Sequence, residues 1–263
     1  MIRTIASRRS FVVVLAACAA LASAVSAQRG AQPPVATAKA IAPVDLTGYW
    51  VSIVTEDWRW RMMTPAKGDY ASVPLNAAAE RVANTWDPAK DEAAGEQCRS
   101  YGAPAIMRVP GRLHIIWNDD NVLRIDTEAG TQTRLLRFGA IPRSDPKPGS
   151  VAAEPTWQGN AAAQWEPAGG GRRGARPTYA GSLKVVTTGM RPGYLRKNGI
   201  PYSANAVVTE YYNRTQEDNG DGWLIVTTVV QDPQYLNGRF FTSTHFKKLP
   251  DASGWKPTPC TAR

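Results

Sequence analysis

Apolar and polar residues alternate with a period of two along most of the chain, in short runs bounded by Gly, Pro, Asn and Asp. This alternation is typical of β-strands that turn one face to a core and the other to solvent. Asn-Asp-Asp-Asn at 118–121 and Glu-Ala-Gly at 128–130 have the composition of hairpin turns. The predicted strands cover residues 46–55, 112–117, 122–126, 131–138, 155–165, 182–188, 206–215, 223–231 and 239–248.

Helical periodicity is rare by comparison. Residues 76–86 place Ala77, Ala78, Val82 and Trp86 on one face, and 91–97 add a turn or two. A series of antiparallel strands must protect its edges, and closure into a barrel removes them. We therefore predict an all-β, antiparallel meander barrel of about 8–10 strands with one or two short helices.

Residues 1–27 have the layout of a cleavable export signal. Arg3, Arg8 and Arg9 form a basic region that is followed by an apolar run at 11–22. Ser-Arg-Arg-Ser-Phe-Val at 7–12 resembles the twin-arginine motif. The alternative is an ordinary secretory signal whose arginines happen to be adjacent, and either signal predicts a periplasmic or secreted protein.

A lipid anchor is a second interpretation of the same region. Leu-Ala-Ala-Cys at 15–18 matches a lipobox, which would make Cys18 a lipidated N-terminus, whereas cleavage after Ala27 would discard it. The apolar run is shorter than the ~20 residues that a membrane-spanning helix needs. We therefore expect no transmembrane segment in the mature chain.

The rest of the chain shows no internal domain boundary. Residues 28–43 are rich in Ala and Pro and predict a flexible tether. Residues 44–263 are predicted to form a single barrel domain, with a disordered Gly/Arg loop at about 166–181.

Cleavage would leave two cysteines, Cys98 and Cys260. An oxidising compartment allows them to form a disulfide, which we predict. A metal site based on these thiolates has only His114 and His245 as further soft ligands, and a nucleophilic cysteine lacks a nearby base in sequence. We expect no metal.

The net charge of +9 does not indicate a nucleic-acid partner. Arg3, Arg8 and Arg9 belong to the signal, and Arg172, Arg173 and Arg176 crowd the Gly-rich loop. The remaining surplus is modest, which together with export argues against nucleic-acid binding.

Two short motifs imitate cofactor or metal sites without their context. Residues 169–174 satisfy a G-x-G-x-x-G pattern, but Pro167 and Pro177 flank it and no helical pattern follows. Residues 217–222 begin like a calcium loop whose twelfth position is Thr228 instead of Glu. We expect no cofactor.

The run Leu-Thr-Gly-Tyr-Trp at 46–50 resembles the Gly-x-Trp opening of lipocalin and calycin barrels. In those barrels the Trp plugs one end. More of the chain, across most of residues 45–260, resembles an uncharacterised family of exported bacterial proteins with a lipocalin/calycin-like barrel. The resemblance implies no established activity. The matching segments are 48–50, Cys98 with 105–108, 123–125, 157–159, 165–166, 194–195, 209–211, 232–233, 246–248 and Cys260.

The aromatic content indicates a possible ligand cavity. Nine Trp and nine Tyr accompany only five Phe, and rings with polar edges suit a cavity that orients an apolar ligand. As a strand, Trp-Arg-Trp-Arg at 58–61 would present both indoles on one side, although a rim of Arg stacked on Trp is equally compatible. The candidate ligand-binding residues are Trp58, Trp60, Arg124, Arg134, Trp157, Trp165 and Tyr211.

Catalytic candidates are few. Glu210 lies between Val208 and Tyr212 on one predicted strand face, so it should point inward. There it would either pair with Arg124, Arg134 or Arg214, or remain available for acid–base chemistry. His245 and Tyr194 are the possible partners in such chemistry.

Three functions remain open at this stage. The first is a periplasmic lipocalin-like protein that binds a small hydrophobic or aromatic ligand in the barrel interior. The second is a cofactor-free hydratase, isomerase or lyase that uses Glu210 with His245 or Tyr194. The third is an envelope scaffold with a filled barrel that binds through loops 62–75 or 166–181.

Overall fold

In a computed structural model of the protein, the alternating segments form most of the strands. The structure describes residues 36–139, 154–166 and 181–263. The predicted signal at 1–27, Cys18, residues 28–35 of the tether and nearly all of the loop at 166–181 lie outside these described residues. The strands are β1 Gly48–Ile53, β2 Arg112–Asp119, β3 Val122–Thr127, β4 Gln132–Phe138, β5 Asn160–Glu166, β6 Ser182–Thr188, β7 Gly193–Arg196, β8 Ile200–Tyr202, β9 Val207–Gln216, β10 Gly222–Gln231 and β11 Phe240–Lys248.

Nine of these strands close into a barrel in the order β1-β11-β10-β9-β6-β5-β4-β3-β2, which confirms the predicted all-β barrel. The pair β4–β5 is parallel and departs from the expected meander. Strands β7 and β8, which the alternation did not predict, form a separate two-stranded sheet inserted between β6 and β9.

Three short α-helices precede β2: α1 Trp58–Arg61, α2 Ala77–Asn84 and α3 Pro88–Ala93. Helix α2 confirms the helix predicted at 76–86, and it begins where the Asn76 side chain accepts a hydrogen bond from the Ala79 N–H at 2.9 Å. The predicted apolar face is wrong, because α2 buries Ala79 and Ala83 and leaves Val82 exposed. Helix α3 begins with Pro after an Asp87 cap, so it starts earlier than the predicted turn at 91–97. The strand interpretation considered for 58–61 does not hold, because this segment is α1.

The two ends of the barrel are closed differently. At the end where β1 begins, Trp50 is fully buried and its indole N–H donates to the Leu46 carbonyl at 3.0 Å. The Lys248 ammonium lies 4.4 Å from its ring centroid. At the opposite end the barrel is closed by a cap. The cap consists of residues 54–111, the β7–β8 hairpin and the C-terminal segment, residues 256–263. This segment is joined to the barrel by the Thr258 N–H, which donates to the Glu128 carbonyl at 2.9 Å.

The inward faces of the strands change from apolar to polar and back to apolar. On β9 the order is Tyr212, Glu210, Val208, and on β10 it is Val226, Thr228, Val230. The first residue of each set packs in a core cluster towards Trp50, and the last packs in a second cluster beneath the cap. The buried residues between the two clusters, which we call the polar layer, are Arg134, Thr187, Glu210, Thr228, Thr242 and Thr244.

No helix among the described residues is long and apolar enough to span a membrane. Cys98 and Cys260 are bonded, with Cα atoms 5.1 Å apart, which confirms the predicted pairing. The bond lies within the cap and joins residues 54–111 to the C-terminal segment.

Candidate functional site

The carboxylate of Glu210 is engaged by Arg134 in the polar layer. Arg134 donates from Nη2 to Oε2 at 2.6 Å and from Nη1 to Oε1 at 2.8 Å, and both side chains are fully buried. Although burial alone would lower it, the Glu210 charge raises the pKa of Arg134 above its ordinary value. Of the three arginines considered as partners, Arg134 is therefore the one that pairs with Glu210.

The other catalytic candidates lie elsewhere. His245 faces outward on β11, where its Nδ1 is 3.3 Å from the Thr55 hydroxyl and 3.5 Å from Glu56 Oε2. Glu210 opens to the inside of the same sheet, so the two residues cannot act on one substrate.

Tyr194 lies in the cap, separate from both. Its hydroxyl donates to Asp91 Oδ2 at 2.9 Å and accepts from Arg99 Nη1 at 3.0 Å. Burial, aided by the Asp91 hydrogen bond, raises the pKa of Tyr194 to about 12. The structure therefore does not bring the proposed acid and base together.

The predicted ligand-binding residues are also dispersed. Trp165 packs with Trp117 and Phe138 at the end opposite the cap, and Arg124 pairs with Asp126 at 2.9 Å on the outside of β3. The Trp157 ring lies 4.2 Å below the Arg191 guanidinium, and Tyr211 faces outward near Lys184. Arg134 belongs to the polar layer and Trp58 is exposed. Among these candidates, Trp60 alone lines the hollow described next.

A hollow of about 400 Å³, which we call the end pocket, lies in the cap. Its walls come from α1, the turns at 99–110, the end of β7 and the C-terminal segment. No carboxylate is among the described residues that line it. Its aromatic and basic lining residues are Trp60, Arg61, Tyr101, Arg108, Arg196 and Lys197.

Arg196 is the least compensated charge of the end pocket. It is 4% exposed, its Nη1 donates to the Ala71 carbonyl at 2.7 Å, and its guanidinium stacks 4.6 Å from the Trp60 ring. Within the described part of the chain, Nε and Nη2 have no hydrogen-bond partner and no carboxylate lies within 4.0 Å. Burial, with the nearby Arg108 charge, lowers the pKa of Arg196 to about 10.

Arg108 supplies a further free donor. It is 6% exposed, and its Nη2 donates to Asp57 Oδ2 at 2.7 Å, whereas Nη1 finds no acceptor among the described residues. Arg61, by contrast, is fully engaged: it donates to the Arg108 carbonyl at 3.0 Å, to the Ser52 hydroxyl at 3.1 Å and to Glu56. Arg61 thus holds the Arg108 backbone in place.

Lys197 adds a fourth positive charge at the rim. Its ammonium lies 3.0 Å from the Arg263 main-chain oxygen, 3.3 Å from the Thr261 hydroxyl and 5.0 Å from the Tyr101 ring centroid. Among the described residues, Glu56 and Asp57 are the carboxylates that pair with the basic residues of the pocket. The pocket therefore carries surplus positive charge beside an indole ring, which suits an organic anion.

A second hollow of about 300 Å³ lies beside α2, α3 and the β7–β8 hairpin. Its ionic groups are already paired, since Arg99 Nη1 donates to Asp91 Oδ1 at 2.8 Å. Its basic lining residues, Lys90 and Arg99, each have a carboxylate within 4.0 Å, whereas Arg196 of the end pocket has none among the described residues.

The sequence did not single out Arg108, Arg196 and Lys197. Arg108 is the last residue of the segment 105–108, and Arg196 directly follows 194–195; both segments carried the family resemblance. Within the described ranges, no three His, Cys, Asp or Glu side chains lie together as metal ligands would.

No protein-family model, curated protein or solved structure matches this chain. The end pocket is therefore interpreted from its own geometry.

Proposed function

We propose that this protein binds a small organic anion in the end pocket, outside the cytoplasm. The observation that carries the proposal is the buried guanidinium of Arg196, which has two donor nitrogens without partners and no carboxylate within 4.0 Å among the described residues. A buried polar group without a partner costs about 1–3 kcal/mol, and a charged one costs more. A bound carboxylate or phosphate would remove this penalty, because its oxygens accept two parallel hydrogen bonds from one guanidinium.

The surrounding groups define the rest of the ligand. Arg108 Nη1 offers a third donor, while Lys197 attracts an anion from the rim. Trp60, Met62 and Leu195 provide apolar walls for an organic body. The aromatic content led us to expect a hydrophobic or aromatic ligand in the barrel interior. The present proposal differs in both ligand and place, because two apolar clusters and the polar layer occupy that interior.

Two features favour a location outside the cytoplasm. Residues 1–27 have the pattern of an export signal, and the Cys98–Cys260 bond is of the kind that persists in oxidising compartments. We also propose that the chain belongs to the family of exported bacterial proteins that its sequence resembles, and the matching segments across residues 45–260 support this assignment.

The proposal predicts that Arg196→Met weakens anion binding by about 30-fold or more, because truncating one member of a buried charged pair costs upwards of about 2 kcal/mol. Titration calorimetry with phenylacetate and with phenyl phosphate measures this. The same variant should leave the free energy of unfolding unchanged or raise it, because it removes a buried charge that has no carboxylate partner.

Arg59→Met is the matched control. Arg59 lies 4.7 Å from the Trp60 ring but pairs with Asp69 and does not line the end pocket. Its removal should change anion affinity by less than about twofold. An Arg196→Met variant that loses several kcal/mol of stability but binds either anion normally would assign this arginine to the fold and refute the proposal.

A further inference from the structure

Three large apolar side chains are exposed beside the end pocket. Trp58, Met62 and Met63 are 63%, 60% and 66% exposed, respectively. Single exposed apolar residues are normal, whereas a group of them next to a pocket indicates an interaction surface. We call these three residues the apolar strip.

Trp58 begins α1, and Met62 directly follows its last residue. The Met62 N–H donates to the Trp58 carbonyl at 2.8 Å, so the two residues are one helical turn apart. Met62 also lines the end pocket. The apolar strip is therefore continuous with the pocket wall.

We propose that the anion held in the end pocket carries an unbranched apolar chain, which leaves the pocket past Met62 and lies on the apolar strip. This inference rests on the proposed function, and it narrows the ligand class to anionic amphiphiles. A compact aromatic acid would fit within the pocket and leave the strip uncovered. A flexible Met pair beside a rigid indole suits an alkyl chain, because thioether side chains adapt to irregular apolar surfaces.

The inference is tested with the full chain and a series of straight-chain carboxylates from butanoate to dodecanoate, kept below their micelle-forming concentrations. Affinity should rise about two- to fourfold for each methylene that reaches the strip, which corresponds to about 0.4–0.8 kcal/mol. The Trp58→Ser/Met63→Ser double variant should lose at least about tenfold in dodecanoate affinity. Butanoate affinity should change by less than about twofold, because neither residue lines the pocket.

Phe241→Ser is the matched control, since Phe241 is 60% exposed on the outside of β11. It should keep the full dependence on chain length. If affinity does not vary with chain length, or if the gain survives in the double variant, the amphiphile inference is overturned while anion binding stands. If Phe241→Ser removes the gain as well, chain binding is non-specific and the inference also fails. If phenylacetate, phenyl phosphate and every carboxylate fail to bind, the proposed function itself falls.

Discussion

Glu210→Gln is expected to lower the free energy of unfolding by about 3–5 kcal/mol. The substitution keeps the shape of the side chain but removes the only carboxylate that pairs with Arg134 among the described residues. Arg134 is fully buried, so its charge has no access to water. A buried charge that has lost its partner is far more costly than the net gain from the intact pair. Urea unfolding followed by tryptophan fluorescence, with the disulfide intact, measures the change.

The Arg134→Met/Glu210→Leu double variant provides the control. It removes both charges, and replacing a buried ion pair with apolar side chains is often neutral or stabilising. Its stability should therefore be close to that of the natural protein, well above that of Glu210→Gln. A loss of less than about 1 kcal/mol in Glu210→Gln would show that the carboxylate is not the buried partner of a charged guanidinium.

The polar layer also limits how the strands can pair. A shift of one residue on β9 would turn Glu210 out of the barrel and leave Arg134 without its partner. Thr228 lies directly opposite Glu210 on β10, and its hydroxyl has no partner among the described residues. The layer is therefore only partly satisfied. We infer that its main contribution is to specify the strand register, with little net gain in stability.

Alternation predicted the barrel strands well because each has one buried and one exposed face. The prediction at 182–188 coincides with β6, and 112–117 is extended by two residues in β2. Strands β7 and β8 were not predicted, because every residue in them is buried and they show no alternation of apolar and polar residues. Their burial comes from the cap, which local sequence does not reveal.

The segment at 58–61 is the opposite case, because it alternates like a strand but forms a helix. Trp-Arg-Trp-Arg alternates, but four residues cannot distinguish a strand from a single helical turn. The helical turn brings Arg61 inward, where it donates to the Arg108 carbonyl and the Ser52 hydroxyl. Tertiary contacts of one buried arginine thus override a weak local pattern.

The two charged sites differ in how far they could be predicted. Inward alternation on β9 identified Glu210 and reduced its partners to three arginines, of which Arg134 is the one in contact. The end pocket has no comparable signal, since Trp60, Arg108, Arg196 and Thr261 are far apart in sequence. Only the closing of the cap brings them together.

The disulfide holds one wall of the end pocket. Ser100 and Tyr101 follow Cys98 closely, and Thr258, Pro259 and Thr261 flank Cys260, and all five line the pocket. Besides the disulfide, hydrogen bonds hold the C-terminal segment to the barrel. These include the Thr258 N–H donating to the Glu128 carbonyl at 2.9 Å and the Thr131 hydroxyl donating to the Thr258 carbonyl at 3.0 Å. The disulfide should therefore affect both global stability and the pocket.

The Cys98→Ser/Cys260→Ser double variant is expected to lose about 2–5 kcal/mol of unfolding free energy, since the bond closes a separation of 162 residues. It should also bind phenylacetate more weakly under conditions where it remains folded, because the segment at 258–261 can then detach from Tyr101. Urea unfolding and titration calorimetry measure the two effects.

With a reducing agent present, the natural protein should match the variant in both measurements. Equal stability of the two proteins under oxidising conditions would mean that Cys98 and Cys260 are not bonded in solution, whereas a destabilised variant with unchanged affinity would mean that the pocket wall is held by its hydrogen bonds alone.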